Sequence, residues 1–140
     1  MTQAAENAIV EKLARTVFEG MDSSWAEAAI AISFASRASE VNAWWRLSPH
    51  GAWQPTGIYN LVIMDLAELF WDLRQLMYRE GSGTWFSARL TVGAQGEYRA
   101  DYDYETQPAF ERPIDPALFI EDLEKFPRDP SRVPDWVEGA

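Results

Sequence analysis

Trp85-Phe86-Ser87-Ala88-Arg89-Leu90-Thr91-Val92, a turn bounded by Gly93 and Gly96, then Glu97-Tyr98-Arg99-Ala100-Asp101-Tyr102-Asp103-Tyr104-Glu105 is the stretch that decides the fold. Phe86, Ala88, Leu90 and Val92 alternate with Trp85, Ser87, Arg89 and Thr91. After the turn, Tyr98, Ala100, Tyr102 and Tyr104 alternate with charged residues. A period of two is the signature of strands that bury one face, and the short glycine turn joins them as an antiparallel hairpin. For both apolar sets to share a face, paired residue numbers must sum to an even value. A sum of 188 sets Arg89 opposite Arg99, whereas 190 sets it opposite Asp101. Like charges directly opposite are unfavourable, so the expected register sums to 190.

Working outward, residues 59–80 carry Ile63, Leu66, Ala67, Phe70, Leu73 and Met77 on one stripe, with Asp65, Glu68 and Asp72 opposite. The spacing predicts a long helix, roughly 33 Å at the usual rise per residue, ended by Gly81-Ser82-Gly83. Further upstream, Ala28, Ile30, Ile32 and Phe34 alternate with Ala29, Ala31 and Ser33. Beyond a polar turn at Ser36–Ser39, Val41, Ala43 and Trp45 alternate with Asn42, Trp44 and Arg46. These read as a second hairpin. Residues 48–57 hold two Pro and two Gly and read as a loop, or at most a short edge strand near Trp53. Residues 4–19 repeat Ile9, Val10, Leu13, Ala14, Val17 and Phe18 at helical spacing. Residues 107–140 form a proline-rich strap with one short helix near 116–125, pinned by Phe126 and Trp136.

The order α-β-β-(β)-α-β-β-α predicts an α+β fold, an antiparallel sheet meander with helices packed on one face, in a single domain spanning 1–140. With 140 residues, 47% of them hydrophobic, the chain can bury a core without staples. It has no cysteine, which excludes disulfides, thiolate zinc ligands and thiol nucleophiles within it. Met1 to Gly20 lacks a long apolar run and carries Glu6, Glu11 and Glu19, unlike a signal peptide. The expected location is the cytoplasm. A formal net charge of −10 disfavours nucleic acid and anionic membrane and favours basic partners.

Few residues carry chemistry. His50 is the only histidine, in a loop between Pro49 and Gly51. Gly81 and Gly83 follow a helix and precede a strand, the reverse of a dinucleotide fingerprint. Asp101, Asp103 and Glu105 would share one strand face at about 7 Å steps. Three readings stay open for them: a solvated acidic face answered by Arg89 and Arg99, a face that docks a partner, or a divalent-metal site. Trp71 and Trp45 fall on apolar faces and are expected in the core. Trp44 and Trp85 fall on the polar set of their strands, where they would anchor a partner if that sheet face is open, or be covered by the C-terminal strap.

These ordered features resemble the YezG-like immunity (antitoxin) proteins of bacterial polymorphic toxin systems. The matching words are Thr84-Trp85-Phe86-Ser87-Ala88-Arg89-Leu90-Thr91-Val92, Gly96-Glu97-Tyr98 and Asp101-Tyr102-Asp103-Tyr104-Glu105. The closing Phe126-Pro127-Arg128-Asp129-Pro130 and Val133-Pro134-Asp135-Trp136 are similar to the actinobacterial branch of such proteins. The resemblance implies a non-catalytic cytoplasmic protein that needs no cofactor or metal. It would bind its cognate secreted toxin, often a nuclease and so basic, and neutralise it stoichiometrically. Asp101, Asp103 and Glu105 would then supply electrostatics, and Trp44 and Trp85 the anchors. Two other expectations remain: an interaction module with no toxin, and a small metal-dependent enzyme built on the three carboxylates.

Overall fold

The computed structural model describes residues 2–139. Its elements are α1 (Thr2–Gly20), β1 (Glu27–Ala35), β2 (Ala38–Arg46), β3 (Gln54–Pro55), α2 (Ile63–Leu76, led in by a 3₁₀ turn at Asn60–Val62), β4 (Ser87–Gly93), β5 (Tyr98–Asp103), α3 (Ala117–Lys125) and α4 (Asp135–Gly139). The fold is α+β. Its five strands form one sheet in the order β3-β2-β1-β4-β5, with every neighbouring pair antiparallel. The two hairpins of the sequence therefore meet along β1 and β4, with β1 at the centre.

Alternation sorts the sheet as its pattern requires. Ala28, Ile30, Ile32, Phe34, Ala88, Leu90 and Val92 point to one face and are buried beneath Leu13 and Val17 of α1 and Leu66, Phe70 and Leu73 of α2. Each large side chain buried this way contributes about 1.5–3 kcal/mol. The β4–β5 register sums to 190, setting Arg89 opposite Asp101. The β1–β2 turn is tight, with Ala35 paired to Ala38. Its first central residue, Ser36, takes a φ of 54°.

The structure departs from the expected elements in three places. The long helix is α2, only 14 residues. At its start, Tyr59 is a buried core residue whose hydroxyl donates to the Val17 carbonyl at 2.8 Å. At its end, residues 79–83 close on themselves, with Arg79 and Gly83 exchanging both backbone hydrogen bonds. Gly81 and Gly83 supply the φ of 88° and 77° which that reversal demands.

Second, Trp85 does not follow the parity of β4. The strand begins only at Ser87, and the chain bends at Phe86. Trp85 therefore turns inward and is fully buried, with ring centroids 5.8 Å from Phe34, 6.4 Å from Phe70 and 5.6 Å from Tyr102. Phe86 goes instead to a satellite cluster with Ala35, Phe119 and Val137 at the end of the sheet.

Third, the strap is more structured than its prolines suggest. Trp136 sits on a further short helix, α4, and packs 5.0 Å from both Phe86 and Phe119. What locks the strap to the body is an ion pair invisible in the hydropathy pattern. Arg74 of α2 donates to both carboxylate oxygens of Asp122 on α3, at 2.6 and 2.7 Å, and its Nε donates to the Trp85 carbonyl at 2.6 Å. Arg74 is completely buried, and its guanidinium lies against the rings of Phe34, Phe86 and Phe126.

Candidate functional site

With α1 and α2 on one face, no helix among the described residues lies over the middle of the other; α3 and α4 meet only the end of the sheet, at Ala35 and Phe86. That open face is roofed by its own side chains. Trp44 and Arg46 come from β2, Arg89 and Thr91 from β4, Arg99, Asp101 and Asp103 from β5, and Trp53 from the loop before β3. Strand alternation places all but Trp53, because each is out of phase with the buried set of its own strand.

At the centre of this face lies a stack of cations on aromatic rings. The Arg46 guanidinium lies 4.2 Å from the Trp53 ring centre, and Arg89 lies 5.2 Å from both Trp53 and Trp44. At half-exposed sites such contacts are worth about 0.5–2 kcal/mol each. Arg46 also pairs with Glu27 across the β1–β2 ladder. Arg89 is different: among the described residues it makes no ion pair. Asp101 stands opposite it in the ladder but accepts from Arg99 Nε at 3.0 Å instead. Burial and the neighbouring Arg46 lower the Arg89 pKa; Asp101 opposes that shift and Arg99 adds to it. An arginine holds its charge regardless, so the centre of the face carries a positive charge with no direct ion pair among the described residues, in a protein of net −10.

Two clefts open on the face, meeting at Arg89. One, about 420 Å³, is lined by Arg46, Trp53, Arg89, Thr91 and Arg99 among others. The second, about 630 Å³, runs along β4 and β5 past Ser33, Ser87, Asp101, Asp103 and Glu105.

The structure places the expected site residues unevenly. Trp44 stands on the open face, half-buried under Arg89. Trp85 does not; the core holds it, and it is unavailable as an anchor. Asp101 is exposed. Asp103 is exposed as well, but its Oδ1 accepts from the backbone N–H groups of Glu105 and Thr106 at 3.0 and 2.9 Å. Burial pushes its pKa up, but hydrogen bonds from the Thr106 and Glu105 N–H groups and from the Thr106 side chain together outweigh it and hold the carboxyl below its ordinary value. Glu105 lies beyond the end of β5, so it does not continue the row; its nearest cation is Arg128, at 3.8 Å. The three carboxylates thus line one cleft, yet each is turned to a different partner rather than toward a shared point. His50 is exposed in a turn closed by Gly51 N–H donating to the Ser48 carbonyl.

The arrangement is a mixed-charge, aromatic platform. Its guanidiniums fit partner carboxylates, its carboxylates fit partner cations, and its tryptophans offer apolar area at low entropic cost. Sequence reading missed its centre. Trp53 carries no periodic signal in a Pro/Gly-rich loop, while Arg46 and Arg89 are placed by parity, Arg46 with no role attached and Arg89 only as an answer to the acids. No helix among the described residues is long and apolar enough to cross a membrane. No protein-family model matches the chain, and no curated protein matches it.

Proposed function

We propose that this chain is an immunity protein, which docks the open face of its sheet onto a cognate bacterial toxin and neutralises it by occupying it one to one. The observation that carries the reading is the open face with Trp44, Trp53 and, at its centre, an Arg89 that makes no ion pair among the described residues. Burying such a face against a partner gains aromatic area and supplies Arg89 with the carboxylate it lacks. The rim carboxylates, Asp101 foremost, steer basic toxins such as nucleases toward the face. The resemblance of residues 84–105 and 126–136 to YezG-like proteins supplies the toxin part of the reading, and the face supplies the docking part.

The test is co-expression. A toxic C-terminal domain encoded beside this chain should kill a host alone and spare it when this chain is present. The purified pair should bind one to one, and Arg89→Glu should weaken binding at least tenfold, with circular dichroism of the free variant checking that its fold persists. Asp101→Lys should slow association and reduce its salt dependence. Continued killing in the presence of the chain would end the immunity reading. A tight complex indifferent to both substitutions would move the contact surface elsewhere.

A further inference from the structure

The sheet has two edges, and only one is guarded. β3 is two residues long and carries Pro55, a short proline edge of the kind that resists pairing. At the other end, β5 is six residues with no proline, and nothing in the sheet lies outside it. The hydrogen bonds that the C-terminal strap makes next to this strand fall past its end, where Arg128 donates to the Tyr104 carbonyl and Trp136 to the Glu105 carbonyl.

The direction in which the β5 backbone points is fixed by two hydrogen bonds. Gly93 N–H donates to the Glu97 carbonyl at 2.8 Å, and Phe86 N–H donates to the Asp103 carbonyl at 2.9 Å. Residues 97, 99, 101 and 103 therefore spend their backbone groups on β4, and 98, 100 and 102 present theirs outward. A second β5 can pair there only by matching even-numbered residues to even-numbered residues.

Side chains then choose among the antiparallel registers. A two-fold axis through residue 99 would set Arg99 against Arg99, and one through 101 would set Asp101 against Asp101, both unfavourable. An axis through Ala100 sets Arg99 against Asp101 twice, in the closely spaced non-hydrogen-bonded positions. It also sets Tyr98 against Tyr102 on the opposite face, covering a Tyr98 side chain that is otherwise 45% exposed. The outward backbone groups at 98, 100 and 102 then all find partners, and the small Ala100 lets the strands approach at the axis.

We infer that two copies of this chain pair along β5, antiparallel about Ala100, into one continuous ten-stranded sheet whose open faces lie side by side. The charges that oppose the registers about 99 and 101 favour this one. This inference needs no toxin, and its test uses the chain alone.

Sedimentation velocity of the wild-type chain should show a concentration-dependent dimer. Arg99→Asp sets carboxylate against carboxylate at both symmetric contacts, and Asp101→Arg sets guanidinium against guanidinium. Either should weaken association roughly tenfold or more. The double exchange Arg99→Asp/Asp101→Arg should restore the dimer, because it rebuilds both pairs with their signs swapped. All three changes sit on exposed side chains, and circular dichroism of each variant checks the fold. A wild-type chain that stays monomeric at every concentration overturns the inference. So does a dimer that ignores the single substitutions, or a double exchange that fails to recover it.

Discussion

Substituting Asp122→Ala should remove a large share of the stability of this protein, although Asp122 is a single charged residue in a proline-rich tail. The carboxylate accepts two hydrogen bonds from Arg74, at 2.6 and 2.7 Å, and one from the Ser36 backbone N–H at 2.9 Å. It therefore ties α3 to both α2 and the β1–β2 turn. Truncation leaves the Arg74 guanidinium with no counter-ion at a site of zero exposure, among Phe34, Phe86 and Phe126, with the Trp85 carbonyl as its remaining side-chain partner. Stranding a buried charge in this way costs about 3–5 kcal/mol. Domains of this size are stable by about 5–15 kcal/mol in total, so the loss is roughly a fifth or more of the whole. At roughly 4 °C per kcal/mol it lowers Tm by about 12–20 °C.

Urea unfolding followed by tryptophan fluorescence reads this directly, since Trp71 and Trp85 lie beside the pair. The double substitution Arg74→Met/Asp122→Leu, which removes both charges and refills the space, should recover at least half of the loss. A cost for Asp122→Ala below about 1 kcal/mol, the size expected of an exposed pair, would show that water reaches the pair and that the strap is held by its aromatic cluster alone.

Other perturbations separate core from surface. Trp85→Ala should cost about 3–5 kcal/mol in denaturant unfolding, whereas Trp44→Ala on the open face should cost under about 1 kcal/mol; equal costs would contradict the placement of one inside and one outside. Ser36→Gly should be neutral or stabilise by up to about 1 kcal/mol in the same assay. The residue adopts a φ of 54°, and its buried hydroxyl has no hydrogen-bond partner, so the substitution relieves both. Burial raises the Tyr59 and Tyr102 hydroxyls to about 12 each. Their contribution is intact below pH 10, where both folded and unfolded chains keep the protons. It is lost as pH rises from about 10 to 12, because the unfolded chain then releases protons that the folded one retains. Spectroscopic titration of phenolate should show Tyr59 and Tyr102 ionising late, with Tyr104 also raised by burial, and thermal stability should fall over the same interval, less steeply in Tyr102→Phe.

Some of this molecule is settled by local pattern. Alternation at 28–34, 41–46, 87–92 and 98–103 made four strands, because a strand with one dry face must repeat every two residues. Parity and the cost of opposing arginines set the β4–β5 register at Arg89↔Asp101. These are properties of neighbours in the chain. Tertiary structure decided what depends on residues far apart: that β1 lies beside β4, that Trp85 escapes the parity of its strand at the Phe86 bend, and that Arg74 finds Asp122 forty-eight positions away. It also decided that Trp53, from a loop without periodicity, lies over Arg46 and Arg89. Periodicity reports which side of an element is dry, and says nothing about which other element dries it. The center of the proposed docking face is assembled from three separate segments, so no window of sequence contains it.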